Sequence, residues 1–92
     1  MSIIEIKEAV ENQLQIDLNS RLRDRRHADA RALYYRLSKD LTTSTLYVIG
    51  KEVDRDHSSV LHGLNNIFRH VDQNLYKKMK SDLYGIYSSA FQ

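Results

Sequence analysis

Ile3, Ile6, Val10 and Leu14 recur at intervals of three and four, with Glu5, Lys7, Glu8 and Glu11 between them. That spacing predicts an amphipathic first helix, with acidic residues near the end where the helix dipole favours them. Ile16 and Leu18 read as a docked connector into an arginine-rich stretch, Arg21, Arg23, Arg25 and Arg26. A second helix is expected from about Ala28 to Thr42. Ala30, Leu33, Tyr34, Leu37 and Leu41 line one of its faces; Arg31, Tyr35 and Ser38 lie on another. Thr45 can cap a short third helix from Leu46 to about Val53. The run Leu46-Tyr47-Val48-Ile49 has strand propensity, but no partner strand is apparent, so a helix is the better expectation. Gly50 inside it costs up to about 1 kcal/mol relative to alanine, which points to close packing against another helix.

Val53, Asp54 and Arg55 then form a tight turn, and Asp56 is a strong cap for a fourth helix. Val60, Leu61, Leu64, Ile67, Phe68 and Val71 form its apolar stripe, read as core. Ser58, Ser59, His62, Asn66 and Arg69 occupy the other side. A final helix, about Asp72 to Ala90, follows a bend, with Leu75, Met79, Leu83, Ile86 and Ala90 at helical spacing. Tyr76, Tyr84, Tyr87 and Phe91 add apolar area on neighbouring faces, and core packing is the preferred reading of these aromatics. Two short helices separated by a three-residue turn, the second with a polar exposed face, make a helix-turn-helix. The expected fold is an all-α compact bundle of about five helices, with residues 1–92 forming one domain.

Composition narrows the chemistry. A chain of 92 residues, 41% of them apolar, can build one modest core. Cysteine is absent, so neither disulfides nor a thiolate metal site hold the fold together. Neither a membrane span nor a signal peptide is apparent, and a cytoplasmic location is expected. Residues 21–39 carry six arginines and Lys39 against Asp24 and Asp29, a balance of +5 within a chain whose total is +2. Such a concentration suits phosphate binding as well as it suits a solvated loop. His57 and His62 are five residues apart, unlike the i, i+4 pair of a zinc helix, and no third ligand is evident. Ser58 beside His57 cannot form a nucleophile–base pair, because successive side chains on a helix point apart. No enzyme activity, metal or cofactor is expected.

The most specific feature is the octapeptide Arg55-Asp56-His57-Ser58-Ser59-Val60-Leu61-His62, which follows Leu41-Thr42-Thr43-Ser44-Thr45-Leu46-Tyr47-Val48-Ile49-Gly50. Together these segments resemble the DNA-binding domain IV of the bacterial replication initiator DnaA, a helix-turn-helix of the Trp-repressor-like superfamily. The family signature runs leucine-x-x-isoleucine-glycine, then glycine-arginine-aspartate-histidine, two hydroxyl residues, valine-leucine-histidine. The likeness extends upstream through Asp17, Leu18 and Ser20 to the arginine-rich loop and Arg31, and covers nearly the whole chain.

The resemblance implies double-stranded DNA as partner, with Asp56, His57 and Ser58 on base edges in the major groove. It implies phosphate or docking contacts for Ser59 and His62, and a phosphate or base contact for Arg55. Arg23 is the first candidate for insertion into the adjacent minor groove and Arg25 the second. Arg31 would be a phosphate clamp. The implied target is similar to the DnaA box, an asymmetric nine-base-pair site of the TTATNCACA type bound by a monomer.

Asp54 stands where the family has paired glycines, with one residue fewer, so a tighter and more acidic turn is expected. Its carboxylate would oppose phosphate unless paired with Arg55. Ser58 and Ser59 lack the threonine methyl, and Ala32 replaces a glutamine. No P-loop of the Gly-x-x-x-x-Gly-Lys-Ser/Thr kind is present, so initiation by this chain alone is not expected. Met1 and a complete domain suggest a stand-alone protein of phage or mobile-element origin that modulates or supports replication, with replication proteins as further partners. The alternative is a small transcriptional repressor that dimerises through the C-terminal helix.

Overall fold

The computed structural model describes residues 1–89, and its helices begin where the chain supplies side-chain caps. The Ser2 hydroxyl accepts from the Glu5 N–H at 3.3 Å and starts α1 (Ile3–Leu14), which ends at Gln15 in the left-handed region, φ 54°. Ile3, Ile6 and Val10 face the core, and Ile16 and Leu18 dock as the sequence pattern implies.

The central element is α2 (Arg25–Leu41). It begins at Arg25 rather than Ala28, because the Asp24 carboxylate accepts from the His27 N–H at 2.9 Å. The His27 ring adds a 2.7 Å contact to the same oxygen. Arg25 and Arg26 therefore belong to the first turn of a helix and not to a basic loop. Arg26 donates to the Leu14 carbonyl at 2.7 Å, satisfying one of the acceptors that the end of α1 leaves open. Ala30 to Tyr35, Leu37 and Ser38 are all buried, since other elements cover α2 on more than one side.

The helix-turn-helix packs against this axis. Thr45 caps α3 (Leu46–Lys51) by accepting from the Val48 N–H at 3.3 Å. The fully buried Tyr34 on α2 donates its hydroxyl to the Ile49 carbonyl at 2.8 Å, tying α2 to α3. Burial holds that phenol well above its ordinary range, so it stays a donor. The helix stops at Lys51 and not near Val53, because the chain tightens: Val53 N–H bonds to the Gly50 carbonyl at 3.0 Å and Asp54 N–H to Lys51 at 3.1 Å. Asp54 then turns through the left-handed region, φ 57°, and the Arg55 N–H returns to the Gly50 carbonyl at 2.9 Å. Gly50 does pack closely: a Cβ there would lie 2.6 Å from the Arg55 carbonyl oxygen and 2.8 Å from Val60 Cγ2.

Asp56 caps α4 (His57–His62), accepting from the Ser59 N–H at 2.8 Å. The expected long fourth helix continues but changes type, into a π turn over Gly63–Ile67 and a 3-10 turn over Phe68–His70. Val60 faces Gly50 and is fully buried; Leu61, about 100° further round the helix, is 46% exposed and leaves the expected stripe. Asp72 caps α5 (Gln73–Ser89) through the N–H groups of Asn74 and Leu75.

The anchor of α5 on α2 is polar and aromatic together. The Tyr76 hydroxyl donates to the Asp40 carboxylate, which also pairs with Arg36 at 3.3 Å and Lys80 at 3.8 Å. Phe68 and Tyr76 meet edge to face at 5.0 Å, and Met79 is buried beyond them. Tyr84, expected to pack, is instead 61% exposed, because it lies on the outer side of α5, while Leu83 beside it packs against the core. The expected contributions of the Ile86 and Tyr87 side chains, and of Ala90 and Phe91, lie outside the described residues. All regular structure among the described residues is helical, and none of these helices is long and apolar enough to cross a membrane.

Candidate nucleic-acid interface

Residues 18–23 link α1 to α2: a turn at Leu18 and Asn19, closed by the Ser20 N–H on the Asp17 carbonyl at 3.1 Å, leads into an irregular segment up to Arg23. Arg31 on α2 donates to three carbonyls of this connector: Nε to Leu18 at 3.1 Å, Nη1 to Leu22 at 3.0 Å and Nη2 to Ser20. Asn19, Arg21 and Arg23 line a polar cleft shared with Asp54 and Arg55 of the helix-turn-helix turn. Arg31, expected as a phosphate clamp, thus holds the chain's own loop. Arg31 is only 6% exposed, and burial, followed by the neighbouring Arg55 charge, holds its guanidinium below its ordinary pKa.

Arg55 completes the lock from the other side. Its Nη1 donates to the carbonyls of Val53 and Asp54, at 3.2 and 3.1 Å, and its Nη2 reaches Ser20 at 2.7 Å. It does not pair with Asp54. That carboxylate instead accepts from the Asn19 amide at 2.7 Å, and the same amide nitrogen also donates to the Glu52 carbonyl at 3.3 Å. Loop and turn are therefore joined three times, through Ser20–Arg55, Asn19–Asp54 and Asn19–Glu52.

Beside this junction opens a cleft of about 390 Å³ between α2 and the beginning of α4. It gathers Arg23, Arg31, Arg55, Asp56, Ser58, Ser59 and His62 from the expected set. Asp56 caps α4 through one carboxylate oxygen, and the hydrogen bonds from the Ser59 N–H and hydroxyl hold its carboxyl below the usual carboxylate range. The Asn66 side-chain amide and His62 Nδ1 lie within hydrogen-bond distance, 3.1 Å apart. His57 is exposed at the tip of α4, outside this cleft. Arg25 also lies outside it, with its side chain 72% exposed and paired with Asp29 at 3.3 Å.

The sequence reading did not single out Tyr35, Gly63, Ala28 and Ile67, which also line the cleft. The signal for Tyr35 was its position four residues after Arg31 on the same helix face. Gly63 exists for it: a Cβ there would lie 2.6 Å from Tyr35 Cδ2. Nothing in a short-range pattern could have paired those two positions.

Neither a curated protein nor a solved structure matches the chain. A family model, described as the bacterial dnaA protein helix-turn-helix, matches residues 3–67. That span holds α1, the clamped loop, α2, the whole helix-turn-helix and the cleft between them, and ends before α5. The chain belongs to the bacterial DnaA helix-turn-helix family.

Proposed function

We propose that the protein recognises DnaA-box-like double-stranded DNA in a sequence-specific manner and, through it, modulates or supports replication initiation. Binding of double-stranded DNA in general follows from the family. The observation that supports the finer reading is the cleft in which the arginine loop and the start of α4 stand side by side. A major-groove helix and an arm for the neighbouring minor groove need that adjacency.

In this reading Asp56, His57 and Ser58 face base edges, and Ser59 and His62 face the backbone. Arg23 enters the minor groove, with Arg25 adding charge near the loop. Arg31 and Arg55 hold the arm in place rather than acting as free cations.

The test is an anisotropy titration of box, scrambled and singly substituted duplexes at fixed salt. A mismatch at a base-read position should weaken binding by about 1–3 kcal/mol, and His57→Ala or Ser58→Ala should erase that penalty at one position. Equal affinity for every duplex would rule out sequence-specific recognition. A dimer on a palindromic site, seen by analytical ultracentrifugation, would replace this reading with a repressor.

A further inference from the structure

Tyr35 presents a phenol that the fold has buried without giving it a hydrogen bond. The residue is 3% exposed, and its ring is enclosed by Tyr34, at 5.7 Å between centroids, and by the glycine surface at Gly63. Buried tyrosine hydroxyls usually find a partner, as that of Tyr34 does at Ile49. The Tyr35 hydroxyl has none among the described residues. Nor is it among the sealed, unpartnered polar atoms, which are those of Asn19, Asp29 and Ser38. Tyr35 lines the cleft together with Arg23, Ser58, Ser59 and His62.

The polar groups around that cleft are donors apart from the Asp56 carboxylate, one oxygen of which is taken by the Ser59 N–H. Arg23 makes no intramolecular hydrogen bond among the described residues, and the His62 ring and two serine hydroxyls lie on the α4 side. Arg31 and Arg55 are close enough to act electrostatically on the phenol, while burial is the larger influence and raises its pKa, so it remains protonated. A convergent set of donors with a positive surround suits a phosphodiester oxygen. A base edge is a poor fit, because Tyr35 lies on α2, one layer beneath the helix that would enter the groove.

We propose that Tyr35 is a further DNA-contacting residue, its hydroxyl donating to one backbone phosphate seated in the cleft between α2 and the start of α4. The proposal rests on the DNA-binding reading above and assigns one contact within it. The native protein tolerates an unpartnered buried phenol because DNA supplies the acceptor. Gly63 is the accompanying adaptation, since any larger residue would displace the ring.

The experiment compares the full chain with Tyr35→Phe, which keeps the ring against Gly63 and deletes only the oxygen. Thermal unfolding of the variant should match or exceed wild type, since the lost hydroxyl bonds to nothing within the fold. Affinity for box and scrambled duplexes should fall by about 3- to 10-fold alike, because a phosphate contact carries no sequence information. The slope of affinity against salt should not change, because a neutral donor displaces no counterion.

Replacing single phosphates by neutral methylphosphonates should reveal one position at which Tyr35→Phe causes no further loss. Wild-type affinity in the variant, or a loss confined to one base sequence, overturns the proposal. Selective inhibition by inorganic phosphate at matched ionic strength, abolished in Tyr35→Phe, would assign the hydroxyl to free phosphate and also overturn it. If wild type binds no duplex, the DNA-binding reading itself fails; if wild type binds and the variant is indistinguishable, only this inference does.

Discussion

Arg31 and Arg55, on different elements of the fold, donate to the same acceptor, the carbonyl oxygen of Ser20. Two like charges converge because that carbonyl lies where the loop passes between α2 and the helix-turn-helix turn. Their mutual repulsion contributes to the lowered pKa of Arg31 and is offset by hydrogen bonds to five different carbonyls. The arginine loop and the helix-turn-helix turn are thereby fixed relative to one another.

Arg31→Ala should release the loop. Three carbonyls on a half-buried segment lose charged donors, and a destabilisation of about 3 kcal/mol is expected from chemical denaturation. DNA affinity should fall further than the loss of one charge explains, because Arg23 is no longer held beside α4. Arg31→Lys should not rescue it, since one ammonium cannot span three carbonyls.

Asp54→Asn should strengthen DNA binding. Asparagine tolerates the left-handed φ of 57° and keeps an oxygen for the Asn19 amide, so stability should change by less than about 0.5 kcal/mol. What disappears is a negative charge in the cleft of Arg21, Arg23 and Arg55. An affinity gain of about 2- to 5-fold at low salt, shrinking as salt is raised, is the expected titration result.

Gly50→Ala should damage both halves of the helix-turn-helix. The new methyl would meet a backbone oxygen at 2.6 Å and Val60 at 2.8 Å, and the backbone oxygen cannot move by changing rotamer. A cost of about 1–3 kcal/mol in the melting curve is expected, with loss of affinity for all duplexes. A variant that melts and binds like wild type would show that the α3–α4 junction is looser than its contacts indicate.

Acid should weaken the starts of α2 and α4. Asp24 and Asp56 both have pKa values lowered from 3.8, Asp24 chiefly by hydrogen bonds from His27 and Asp56 by those from Ser59. A carboxylate depressed in the folded state stabilises it above the unfolded pKa, and that stabilisation is lost as pH falls through the folded value. The melting temperature should therefore decline below about pH 4. In the double variant Asp24→Asn, Asp56→Asn the decline should be shallower, because asparagine caps without titrating.

The pattern of apolar residues determined the helices, and the capping residues Thr45 and Asp56 determined where two of them begin. Helical periodicity and capping are local, fixed within a few residues of chain, so they can be read without knowing what lies opposite. Asp24 belongs to the same local grammar, although the arginines that follow it suggested a loop. The site was legible as far as its ingredients: an arginine-rich stretch and a polar helix start.

Only the tertiary structure decided how those ingredients are used. Arg31 became a buried clamp because the connector between α1 and α2 passes along it, and Arg55 joined the same carbonyl because the turn folds back onto that connector. Leu61 faces solvent because Val60 takes the place against Gly50. Tyr35 lines the cleft because Gly63, 28 positions later, clears room for its ring. Each of these depends on which distant backbone group arrives at a given side chain, and short-range patterning carries no record of that arrival.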